Sequence, residues 1–140
     1  MIEGKSELLL QSIQILIDLC AHEYVAVNRK ALHSFVKVAP KYGKKALIGV
    51  KPLFHILTVP GTSYASASGA LSCLAQDVSI KNITSDWNST EQFICMILLF
   101  PGMIERVVEP DKRQQLMTKL TSLFVQYVEK WHHNPLLHNN

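Results

Sequence analysis

The chain has 140 residues, enough for one domain, with 48% hydrophobic residues, 18% charged residues and a formal charge of +3. That balance excludes a disordered chain. The basic excess is mild and dispersed, densest at Lys41–Lys45 and Lys112-Arg113, which argues against direct nucleic-acid binding. The chain is also greasy for a domain with solvent on all sides, as if part of its surface were buried against more protein.

No segment reaches the ~20 apolar residues of a membrane span. The longest apolar run, Phe93–Phe100, stops at Pro101-Gly102. Glu3 and Glu7 spoil a secretory leader. Cys20, Cys73 and Cys95 are odd in number, lack a CxxC partner and sit in apolar surroundings, so all three are expected as buried free thiols.

In chain order, Ser6–Cys20 reads as a helix with Ser6 as N-cap and a stripe of Leu9, Ile13, Leu16, Ile17 and Cys20. Leu8, Leu10, Ile15 and Leu19 lie off that stripe, so this helix is apolar on more than one side. After a break at Ala21-His22-Glu23, a second stripe runs through Val27, Ala31, Leu32, Phe35 and Val38 and closes at Pro40 and Gly43. Asn28, Arg29 and Lys30 fall mostly outside it. They read as the solvated edge of an amphipathic helix or a polar patch between repeats, with an anion site as the sharper alternative.

The third stripe is Leu47, Val50, Leu53, Phe54 and Leu57, with a kink or restart expected at Pro52. Val59-Pro60-Gly61 is a turn. The next helix carries Tyr64, Ala67, Ala70, Leu71 and Leu74, and its run of small residues around Gly69 predicts close approach by another helix. Asp77–Ser85 reads as a polar connection. A fifth helix is expected from Asp86 or Ser89 to Phe100, ended by Pro101-Gly102, with Trp87 packing the loop onto the preceding unit. The sixth starts at Glu109-Pro110-Asp111 and carries Leu116, Leu120, Leu123, Phe124, Tyr127 and Trp131.

Shifted by about forty residues, Ile13, Leu53 and Phe93 align; so do Leu16, Ile56 and Met96, and Ile17, Leu57 and Ile97. Two-helix units of ~40 residues mark HEAT or armadillo repeats. The expected fold is therefore all-α, an α-solenoid segment of about three helical hairpins over 6–39, 44–76 and 86–131, with an unstructured tail at 132–140. Neither end carries a polar cap, so the chain is expected to be a slice of a longer solenoid and to self-associate alone.

No hydrolase, zincin, P-loop or dinucleotide motif occurs. His132, His133 and His138 lack a preset geometry for a metal. Glu105, Glu109 and Asp111 fit a helix start better than acid–base chemistry. Neither an enzyme nor a resident metal or cofactor is expected.

The ordered set Tyr24-Val-Ala-Val-Asn-Arg-Lys-Ala31, Pro52-Leu53, Gly69-Ala-Leu-Ser-Cys-Leu74, Asp86-Trp87 and Pro101-Gly102 resembles the proteasome activator complex subunit 4 family. These are large single-chain HEAT-repeat activators of the 20S proteasome. The likeness covers about residues 20–130 and departs over Asn88–Leu99. It implies a wall segment of a dome that caps the 20S core in nucleus and cytoplasm. That dome promotes degradation without ATP or ubiquitin, acetylated histones being among the family's substrates. The implied partners are the 20S core, through the full-length parent, and neighbouring repeats. The family's inositol phosphate sites are not placed on this chain. Its C-terminal docking motif is not matched by Leu137-His-Asn-Asn140, so this segment alone is not expected to activate a proteasome. The competing expectation is an independent HEAT-type adaptor.

Overall fold

The computed structural model describes residues 2–41, 51–104 and 109–133. Among these residues it is all-helical: α1 (Ile2–Cys20), α2 (Val25–Val38), α3 (Lys51–Thr58), α4 (Tyr64–Leu74), α5 (Asp77–Thr84), α6 (Trp87–Ile104) and α7 (Pro110–His132). A short 3-10 turn at Ala39–Lys41 prolongs α2 through Pro40. Gly43, Leu47, Val50 and the 44–50 part of the second expected unit lie outside the described residues, as do Glu105, His138 and the 134–140 part of the tail.

Sequential helices pack as pairs: α1 with α2, α3 with α4, α6 with α7. Across pairs, α2 packs on α4 and α4 on α7, while α3 packs on α6. Thus α2, α4 and α7 form a row, with α4 at its centre. Ile13, Leu53 and Phe93 lie on α1, α3 and α6, and all are buried. Each helix points one apolar stripe inward; summed over the rows, these stripes make one continuous core.

Two expectations about chain breaks are corrected. Asp77–Ser85 is not a polar connection, because α5 occupies it. Ile80 and Ile83 bury on one face, and an exposed Asp77–Lys81 ion pair spans the other at 3.5 Å. Nor does Pro101 end α6, which continues to Ile104 with the proline inside. A proline forfeits one backbone hydrogen bond. Here Phe100 and Ile104 are both buried on either side of it, and their packing holds the last turn.

Smaller corrections follow from burial. α1 begins before Ser6, which lies within the helix. Leu9, Phe124 and Cys95 are exposed. Trp87 is 56% exposed and does not anchor the loop. Asp86 does the anchoring, its carboxylate accepting from the Ser89 N–H at 3.1 Å and the Ser89 hydroxyl at 2.6 Å.

Candidate functional site: a basic groove across α2, α4 and α7

After Tyr64, the N-terminal half of α4 carries only small side chains. Ser63 caps it, accepting from the Ser66 N–H at 3.2 Å. Ser66, Ala67, Gly69 and Ala70 are all buried. A Cβ added to Gly69 would overlap the Cys20 carbonyl oxygen and lie 3.1 Å from Asn28 Nδ2. The expected close helix approach is therefore real, and it brings the end of α1 onto α4. The Ser66 hydroxyl donates to the Ala21 carbonyl at 2.6 Å. Asn28 Nδ2 donates to the carbonyls of His22 at 3.1 Å and Ala65 at 3.0 Å. Asn28 is thus no part of a solvated edge. It is buried and ties the α1–α2 turn to α4.

Above this seam opens a cleft of about 230 Å³ lined by α2, α4 and α7. Arg29 stands on the α2 side and Lys119 on the α7 side. Lys119 Nζ donates to Ser72 Oγ at 2.6 Å, Ser68 Oγ at 2.8 Å and the Ser68 carbonyl at 3.3 Å. Burial against α4, and then the charge of Arg29, hold the Lys119 pKa below the ordinary lysine value. Val25, Leu32, Tyr64 and Ala65 supply an apolar wall. At the rim the Tyr64 hydroxyl donates to Gln115 Oε1 at 2.6 Å, and Lys112 sits 5.7 Å over the Tyr64 ring. No acidic residue is among those lining the cleft, and Arg29 forms no ion pair among the described residues.

Of the three residues singled out in the sequence, the structure brings Asn28 and Arg29 to this cleft. Lys30 is exposed on α2 and does not line it. Lys119, Ser68 and Ser72 were not legible as partners. The i, i+4 spacing of Ser68 and Ser72 places them on one face of α4, but nothing local links that face to α7.

Elsewhere, no group of three or more His, Cys, Asp or Glu side chains could hold a metal among the described residues. His132 and His133 form an edge-on ring pair at the end of α7. No helix among the described residues is long and apolar enough to cross a membrane. The charged lining of the cleft is two cations, Arg29 and Lys119, with Ser68 and Ser72 hydrogen-bonded to Lys119.

By its fold the chain is an all-α protein of packed helix pairs. It matches no family model, no curated protein and no solved structure.

Proposed function

We propose that this chain is a wall segment of a HEAT-like α-solenoid, and that the solenoid is a proteasome activator that caps the 20S core. The observation that carries the scaffold reading is the distribution of apolar surface. At one end α1 exposes Leu8, Leu9, Leu10 and Ile15. At the other, α6 and α7 expose Ile94, Leu98, Leu99, Phe124, Val125 and Val128. A further cleft of about 760 Å³ lies between α6 and α7, where Ile104, Pro110 and Met117 form part of its lining. Both flanks offer what an inner helix pair offers its neighbours, which is how stacked repeats bury a continuous core. The proteasome reading rests on the ordered sequence likeness from Tyr24 to Gly102.

An antibody raised against the chain tests both parts. On denaturing gels of native extract, the expected antigen is one very large polypeptide, which comigrates with 20S proteasome on native gels. A large antigen away from proteasome would keep the scaffold and remove the proteasome. An antigen at 15.8 kDa would overturn both and leave a free-standing helical-repeat adaptor.

A further inference from the structure

We infer that the groove between α2, α4 and α7 docks an acidic peptide segment, one carboxylate lying between Arg29 and Lys119 and an apolar neighbour resting on Val25, Leu32 and Tyr64. This goes beyond the scaffold reading and does not depend on the proteasome.

Charge is the first argument. Two cations face each other across the cleft, close enough for Arg29 to perturb Lys119, with no carboxylate lining it. Like charges left together are unfavourable until an anion enters. Lys119 is also held in place, its ammonium tied to Ser68 and Ser72, so little side-chain freedom is lost when the anion arrives. Arg29, unpaired within the described residues, keeps its planar donor fork for the incoming group.

The second argument separates a carboxylate from a phosphate. Phosphate sites commonly recruit free backbone N–H groups at helix starts or nests. The floor here is Ser68, Gly69 and Ser72, inside α4, whose N–H groups are committed to the helix. What the floor and walls add instead is apolar surface: Val25, Leu32, Tyr64 and Ala65 beside the two cations. That pairing of charge with grease fits a peptide carrying an acid next to an apolar residue.

The test uses fluorescein-labelled acetyl-Gly-Leu-Glu-Asp-Leu-Gly amide, its Gln/Asn counterpart and inorganic phosphate, each titrated against the full chain. The acidic peptide is expected to bind saturably and to weaken as salt rises. Arg29 and Lys119 are both exposed, so Arg29→Gln and Lys119→Ala should each weaken it about fivefold, the upper range for an exposed ion pair. Unchanged thermal melts would show that both variants remain folded. Lys30→Gln, equally exposed but outside the cleft, should leave binding within about twofold. Equal binding of the neutral peptide, indifference to both cleft variants, or absence of saturable binding would each overturn the proposal. Displacement of the peptide by inorganic phosphate at matched ionic strength would reassign the cleft to small oxyanions.

Discussion

The α1–α2 pair meets α4 very differently from the way α6 and α7 meet the centre of the chain. The first seam is made of small residues and directed hydrogen bonds: Gly69 under the Cys20 carbonyl, Ser66 on Ala21, Asn28 on His22 and Ala65. The second is made of rings. Phe93 stacks on Tyr127 at 3.8 Å between centroids, and Trp131 and Phe54 meet Phe93 edge-on at 5.7 Å and 6.3 Å. Beneath the exposed polar contacts of α7 with α4, the buried Tyr127 hydroxyl donates to the Leu74 carbonyl at 3.1 Å. A seam of backbone contact and hydrogen bonds tolerates little added volume. A seam of rings tolerates little removed volume. The same helical core is therefore held by opposite physics at its two joints, and substitutions should tell them apart.

The largest effect belongs to the ring seam. Phe93 is fully buried at the centre of the aromatic cluster. Phe93→Ala should cost about 4 kcal/mol in urea unfolding, from lost transfer energy plus the cavity left behind. A loss below about 1 kcal/mol would mean that Tyr127 and Trp131 collapse into the gap, contrary to a tightly packed joint.

Next comes the opposite change at the other joint. In an open helix, Gly→Ala stabilises by about 1 kcal/mol. At Gly69 the new methyl would overlap the Cys20 carbonyl oxygen, which is backbone and cannot rotate away. Gly69→Ala should therefore destabilise by about 3 kcal/mol, the upper range for overpacking. Stabilisation, measured by the same unfolding curve, would show that the two helices are not in contact there. Gly102, in the last turn of α6, has nothing within 4 Å of an added Cβ, so Gly102→Ala is the matched control.

A smaller effect isolates the polar part of the first seam. Asn28→Ala removes the donor to the His22 and Ala65 carbonyls and should cost about 2 kcal/mol. Hydrogen exchange should quicken first at the end of α1 and the start of α2. Faster exchange confined to α6 and α7 would show that Asn28 does not secure the first joint.

These seams were unequally legible in the sequence. The run of small residues through Gly69 is a local pattern, and it corresponds to what packs in the structure. The Phe93–Tyr127 stack could not be read as a contact, although both stripes were visible, because helix periodicity assigns a face and not the partner it meets. α5 was hidden by its polar composition: only two isoleucines report its buried face. Pro101 misled because a proline's local cost is fixed, whereas the packing of Phe100 and Ile104 that offsets it is tertiary. The basic groove was half legible. Arg29 stood out beside apolar neighbours, but Lys119 joins it only through three stacked helices. Asn28 looked like one more polar surface residue, since nothing in the sequence says which carbonyls await it.

The smallest effect separates the joints by pH. Asp86 caps α6 and lies 3.9 Å from Lys51 of α3, so its charge serves the α3–α6 side of the molecule. The Ser89 hydroxyl and then the Ser89 N–H hold its carboxyl below the ordinary aspartate value, with Lys51 adding to them. A depressed folded pKa means that the unfolded chain takes up the proton first as pH falls. The contribution is therefore complete above the ordinary aspartate range and lost as pH drops through the folded value. At neutral pH, Asp86→Ala should cost about 1 kcal/mol, the usual worth of an N-cap. By pH 2 that cost should shrink, because the protonated carboxyl has already lost the charge-assisted part of its bonds. The cost of Asn28→Ala should stay constant over the same range, since its partners do not titrate. An Asp86→Ala penalty equal at both pH values would show that the cap acts by shape alone, leaving the two joints indistinguishable by acid.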